Sequence, residues 1–162
     1  MVMKVLEGVI YVKSLKDFIK KLNSLDCTIV FIDANYVISI DQVEFAVKKA
    51  IKAWNEGRRV ARTLAMEILL YVAARRQISD AIEIGLKEGK NEVVAIVLDD
   101  CVDKLKELGF KEQPVLRLDK EKIERVKKFY DISDVELEIV GLEKLPLLIR
   151  ERIALFDMFK SS

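Results

Sequence analysis

Five arginines, Arg58, Arg59, Arg62, Arg75 and Arg76, fall within the 19 residues 58–76, where Glu67 is the only acid. The window therefore carries +4, while the whole 162-residue chain carries +1, so the remainder is slightly acidic. Guanidinium groups fork onto phosphate oxygens with paired hydrogen bonds, and a local basic patch signals an anionic partner before it signals catalysis. Gln77 follows the arginine pair and Asn35 lies upstream; their amides can bond bases or sugars. Tyr36, Tyr71 and Trp54 are candidate stacking surfaces for single-stranded bases, although the helical spacing places Trp54 on an apolar face and so in the core.

Catalytic chemistry finds little support. The chain has no histidine, which removes Ser-His-Asp and Cys-His nucleophiles, imidazole bases and the commonest zinc sites. Gly85-Leu86-Lys87-Glu88-Gly89-Lys90-Asn91 only superficially resembles a phosphate-binding loop. Its glycines are one residue too close, Asn91 stands where a magnesium-binding hydroxyl belongs, and it ends a helix where the motif should open one. It reads as a helix stop and turn. Asp99-Asp100 ends a strand-like run and, lacking further paired acids, is expected to cap a helix rather than hold a metal. Glu67 stands alone in an apolar helix, either on its polar face or as the buried partner of an arginine such as Arg62 or Arg75. Neither a metal nor a cofactor is expected.

The elements that position these residues follow from periodicity. Residues 3–12, 27–32 and 93–98 are rich in β-formers and read as strands, the first bent at Gly8, with 115–118 as a candidate fourth. Ser14 opens a helix, and Ser39-Ile40-Asp41-Gln42 has the form of a capping box. After it, Val43, Ala46, Val47, Ala50, Ile51 and Trp54 recur on one helical face up to a stop at Gly57. Further helices are expected near 63–71, 79–89, 101–108, 119–129, 133–140 and 146–159.

If the helix after Thr63 spans about ten residues, it separates the two arginine groups by about 15 Å. No repeat or linker interrupts the chain, so residues 1–162 read as one α+β domain. It should hold a small mixed or antiparallel sheet of three to four strands flanked by several helices.

Composition agrees with an ordinary folded domain, 51% hydrophobic and 34% charged. No apolar run approaches bilayer-spanning length and no export signal is visible, so a cytoplasmic protein without membrane contact is expected. In that setting Cys27 and Cys101 read as buried, reduced thiols. Only Lys160-Ser161-Ser162 reads as disordered. The helix from Pro146 carries apolar residues around much of its circumference. One stripe, Leu148, Ile149, Arg152, Leu155 and Phe156, can dock on the domain, and Ile153, Met158 and Phe159 are then left for a partner. Alternatively the whole helix completes the core.

Asn35 with Val37-Ile38-Ser39, Gln42-Val43, Ala46 and Ala50 begins a pattern that continues through Arg62, Leu64 and Glu67-Ile68-Leu69-Leu70-Tyr71. Arg76-Gln77-Ile78, Ala81-Ile82 and Gly85 follow, and Ala154-Leu155-Phe156-Asp157 ends it. In this order the pieces resemble the PRPK-binding protein (TPRKB-like) family, accessory subunits of the KEOPS (EKC) complex that makes threonylcarbamoyladenosine in tRNA. The likeness runs along essentially the whole chain, densely over 33–86. Family members more often show a serine/glycine turn where this chain has Ala73-Ala74-Arg75.

The resemblance implies a non-catalytic subunit that docks on the kinase/ATPase of the complex, largely through its C-terminal helices. It implies too that the protein helps capture tRNA by its single-stranded 3′ CCA end, after which another subunit modifies adenosine 37. Asn35, Arg58, Arg59, Arg62, Arg75, Arg76 and Gln77 would then meet RNA. Ile153, Phe156, Met158 and Phe159 would meet the kinase. The competing reading is a pure protein adaptor that regulates a small kinase and never contacts RNA.

Overall fold

A computed structural model describes residues 2–160; Ser161 and Ser162, read from sequence as disordered, lie outside them. Four strands form one sheet, β1 (Met3–Val12), β2 (Ile29–Asp33), β3 (Gly89–Leu98) and β4 (Lys111–Glu112). Their order is β2-β3-β1-β4 and every neighbouring pair is antiparallel. The long β1–β3 ladder runs from Met3 opposite Leu98 to Val12 opposite Gly89.

The fourth strand is not at 115–118. Pro114 cannot donate to a ladder, and the Val115 and Leu116 N–H groups donate instead to the Glu7 carboxylate at 2.7 and 3.2 Å. Pairing moves upstream, where Glu112 faces Gly8. Gly8 is required there, because a Cβ would collide with the Lys111 carbonyl and the Phe110 ring.

From Val93 to Leu98 β3 is apolar without interruption because both its faces are covered there. Val93, Ala95 and Val97 pack with Phe31, Ile10, Phe18 and Leu105 under α1 (Leu15–Asn23) and α5 (Val102–Glu107). Val94, Ile96 and Leu98 face the main core, built with α2 (Ile40–Asn55), α3 (Leu64–Ala73), α6 (Lys120–Phe129) and α8 (Leu145–Phe159). α7 (Asp134–Val140) precedes α8 and carries a complete Ser133/Glu136 capping box.

Side-chain caps from Ser14, Ser39, Thr63 and Asp119 open α1, α2, α3 and α6. At Ser39 only half of the expected box forms. The Gln42 side chain, 1% exposed, instead accepts from Ile38 N–H at 2.8 Å and donates to the Tyr36 carbonyl and the Tyr130 hydroxyl. The helix expected over 79–89 is one turn, α4 (Ile78–Ala81), and a 3₁₀ turn over Ile82–Ile84. Gly85 is already extended, 85–88 form an irregular connection, and Gly89, at φ 96°, starts β3.

Two further expectations change. Cys27 and Cys101 are half-buried and joined in a disulfide, with Cα atoms 6.2 Å apart. The antiparallel β2–β3 pairing causes this: Leu98 N–H bonds the Thr28 carbonyl, bringing the chain before β2 beside the chain after β3. Asp99 and Asp100 do not cap α5, whose N-cap position is Cys101 without a side-chain bond. Asp99 instead takes a left-handed conformation and its N–H bonds the Val2 carbonyl.

Candidate functional site

α3 is the axis of the site, and Glu67 is its anchor. Glu67 is fully buried and accepts hydrogen bonds from Val60 N–H at 3.0 Å and Ala61 N–H at 2.7 Å, which fixes the arginine-bearing loop before α3. Its cationic partner is neither Arg62 nor Arg75 but Lys160, at 2.9 Å. α8 packs along α3 and delivers Lys160 into the core, 2% exposed, where a disordered end was expected.

Lys160 Nζ also donates to the Tyr71 hydroxyl at 2.5 Å, and that hydroxyl donates to Asp157 at 2.5 Å. Arg58 closes the chain at 3.3 Å from Asp157. Burial alone would raise the Asp157 carboxyl, but the Tyr71 and Arg58 hydrogen bonds outweigh it and hold the group below the usual aspartate range. Burial and the bond to Asp157 push the Tyr71 phenol far above its ordinary value.

The arginines divide by availability. Arg58 is tied to Asp157 and Glu56. Arg59 lies 3.8 Å from the Trp54 ring centroid and donates to the Trp54 carbonyl at 3.2 Å. Trp54 is accordingly half-buried under a guanidinium and lies outside the core in which its spacing placed it, because it stands in the last turn of α2. Arg75 lies 4.5 Å from the Phe129 ring centroid and donates to the Phe129 carbonyl. Arg62 and Arg76 are exposed and make no ion pair or side-chain hydrogen bond among the described residues.

Arg75 and Arg76 line an open cleft of about 600 Å³. α3 ends with Ala74 in the left-handed conformation, φ 53° and ψ 43°, and Arg75 N–H returns to the Leu70 carbonyl at 3.1 Å. This reversal swings Arg75 onto Phe129 and leaves Arg76 outward. Lys128, Tyr130 and Asp131 form the opposite wall, and Phe156, Phe159 and Arg152 come from α8. Arg152 is fully engaged, with the Tyr130 and Asp131 carbonyls at 3.2 and 3.1 Å and both Glu136 oxygens at 2.8 Å. Among the described residues, the unengaged cations of the cleft are therefore Arg76 and Lys128.

The sequence reading missed the α6 wall, although residues 120–128 carry five cations against two acids, a local excess of +3 that the interspersed Glu121 and Glu124 make less conspicuous than the arginine window. Arg58, Arg59, Arg62, Gln77 and Asn35 do not line the cleft. Gln77 is exposed at the start of α4, and Asn35 is exposed on a 3₁₀ turn over Ala34–Tyr36.

α8 also differs from expectation. Ile153 is 0% exposed and belongs to the core, and Phe156, 8% exposed, sits edge-on to Tyr71 at 5.0 Å. Both are buried, so neither is left bare at the surface of α8. Met158 at 70% and Phe159 at 57% are exposed, as are Leu147 and Leu155. Among the described residues no group of three or more histidine, cysteine, aspartate or glutamate side chains could hold a metal, and no helix is long and apolar enough to cross a membrane.

Fold and site together define a small α+β protein with a basic, aromatic cleft at the junction of α3, α6 and α8. The chain belongs to the family described as kinase binding protein CGI-121, whose model matches residues 9–157. It is 38% identical over 90 residues to the KEOPS complex subunit Cgi121 of Pyrococcus abyssi, covering 52% of this chain and 53% of that protein. It is 33% identical over 72 residues to the EKC/KEOPS complex subunit CGI121 of Kluyveromyces lactis, covering 43% and 46% respectively. The aligned stretch is thus about half the length of each relative.

Proposed function

We propose that this protein is a non-catalytic accessory subunit of a KEOPS complex that binds the kinase/ATPase subunit and recruits tRNA by its single-stranded 3′ CCA end. The observation that carries the RNA half is the cleft, where two unengaged cations, Arg76 and Lys128, stand beside the exposed Phe159 ring. Cations grip phosphates and an aromatic face stacks bases without demanding a sequence. Gln77, next in the chain to Arg76, would bond a base or sugar; Arg62 and Asn35, outside the cleft, would meet other parts of the RNA. The kinase half rests on family membership and on Met158 and Phe159, apolar groups left bare at the end of α8.

The test is a titration of tRNA with and without its CCA end, alongside a binding assay with the kinase/ATPase. Equal affinity for the two tRNAs would defeat end recognition. Undiminished kinase binding by a Met158→Glu/Phe159→Glu variant would defeat the assignment of that surface.

One observation favours the competing reading of a protein adaptor without RNA contact. Arg58, Arg59 and Arg75 are already occupied within the chain, so much of the basic window is spent on its own fold. Under that reading Arg76→Glu weakens kinase binding and leaves tRNA untouched.

A further inference from the structure

Lys122, in the first turn of α6, is 5% exposed, yet its ammonium group makes no hydrogen bond or ion pair among the described residues. No buried side-chain nitrogen or oxygen among the described residues lacks a partner, so the Lys122 ammonium keeps its small remaining access to solvent while its stem is buried. The side chain lines a small pocket of about 50 Å³ between α6 and the 3₁₀ turn over Ala34–Tyr36. Arg117, Arg125 and Asn35 line the same pocket.

Arg125 reaches the Asn35 carbonyl at only 3.4 Å, and the Asn35 side-chain amide has no partner among the described residues. Two carboxylates, Asp119 and Glu121, line the pocket with the three cations. Asp119 is occupied in capping the helix, its Oδ1 accepting Lys122 N–H at 2.9 Å. Arg117 is paired with Glu92 at 2.7 Å, which would share it with a bound anion.

We propose that this pocket binds a single phosphate group, with the Lys122 ammonium as its floor, the Arg125 and Arg117 guanidiniums as its sides and the Asn35 amide as a neutral donor. The volume suits one small group and is far below that of a metabolite site. Burial holds the Lys122 ammonium below its ordinary pKa, and Arg117 and Arg125 push the same way against Asp119 and Asp33; a bound anion would relieve that imbalance. The phosphate is either inorganic phosphate or one phosphodiester of an RNA. The site is separate from the cleft and does not require the tRNA-end reading to be right.

The test measures thermal stability in inorganic phosphate against sodium chloride at matched ionic strength, for the wild type and for Lys122→Met. Phosphate at ten times its dissociation constant should raise the wild-type Tm by about 4 °C and leave the variant unmoved. Without phosphate, Lys122→Met should melt no lower than the wild type, because it keeps the apolar stem and gives up no ion pair or side-chain hydrogen bond among the described residues. No specific rise in the wild type, or an equal rise in both proteins, overturns the proposal.

Arg125→Gln provides a check that does not depend on Lys122→Met folding. It gives up only one long hydrogen bond and should bind phosphate about tenfold more weakly; unchanged affinity also overturns the proposal. The two sources separate in a tRNA titration across salt. A logarithmic salt slope shallower by about 0.7 in Lys122→Met assigns the site to an RNA phosphodiester, and an unchanged slope with the phosphate response lost assigns it to the free anion. A protein that binds phosphate here but no tRNA would defeat the proposed function alone.

Discussion

Lys160 Nζ lies 2.9 Å from Glu67 Oε2, and the two side chains are only 1% and 0% exposed. This pair joins the last turn of α8 to α3 and, through Glu67, to the loop at 60–61. Removing one partner strands a buried charge, so Lys160→Met and Glu67→Gln should each cost about 3–5 kcal/mol. Replacing both strands no charge, and the double variant should lose clearly less than the sum. Urea unfolding of the four proteins checks this; additive losses would mean that the two side chains act independently.

Asp157 gives stability an acid limit. Hydrogen bonds from Tyr71 and Arg58 overcome the effect of burial, and the folded-state pKa lies below the unfolded value of about 3.9. A depressed carboxylate stabilises the fold above the unfolded pKa, and that contribution disappears as pH falls through the folded value. Asp157→Asn should therefore cost about 2 kcal/mol at neutral pH. Its deficit relative to the wild type should shrink below about pH 4, read by unfolding at several pH values. A deficit independent of pH would assign the loss to packing.

Arg75 and Arg76 are neighbours with different work. Arg75 is committed to the Phe129 ring and carbonyl, so Arg75→Glu should cost about 1–2 kcal/mol of stability whatever it does to binding. Arg76 is exposed and makes no ion pair or side-chain hydrogen bond among the described residues, and Arg76→Glu should shift stability by no more than about 0.5 kcal/mol. If Arg76 and Lys128 meet RNA phosphates, the combined charge reversal should remove about 1.4 from the logarithmic salt slope for a single-stranded end. A slope unchanged in both variants would take RNA away from the cleft.

How far the sequence carried depended on whether a feature was local. Caps at Ser14, Ser39, Thr63 and Asp119 and the apolar face of α2 are written in neighbouring residues, and β1 and β3 announce themselves by composition. β4 was illegible because its position depends on Glu7 receiving two N–H groups from 108 and 109 residues away. The Cys27–Cys101 bond needed the β2–β3 pairing, and the partner of Glu67 lay 93 residues on in what read as a frayed end. Of the candidate site, the arginine pair was visible, but the α6 wall and the burial of Ile153 were not. The first is contributed by tertiary packing, and the second by the rotation of α8, which a helix apolar on most sides does not specify.

Ala74 holds the left-handed position that ends α3, at φ 53°. An alanine there carries about 1 kcal/mol of strain that glycine avoids, since no Cβ meets the carbonyl. Ala74→Gly should therefore stabilise the protein by a few tenths to about 1 kcal/mol and leave the cleft intact, seen as a raised Tm with unchanged ligand affinity. A lowered Tm would mean that the Ala74 methyl group contributes more to packing than its conformation costs.

The disulfide should dominate the redox dependence of stability. Cys27 and Cys101 are 74 residues apart in sequence, and closing so long a loop restricts the unfolded chain by about 4 kcal/mol in the chain-entropy account. The bond ties the strand edge before β2 to the start of α5, beneath the smaller of the two cores. Neither cysteine lines the cleft or the small pocket at Asn35. Cys27→Ser, Cys101→Ser and the reduced wild type should thus share one lowered denaturation midpoint, while the oxidised wild type stands alone above them. The same variants should bind tRNA or phosphate as the wild type does at temperatures where all are folded. An oxidised wild type no more stable than the reduced protein would show that the cross-link strains the native fold as much as it restrains the unfolded chain.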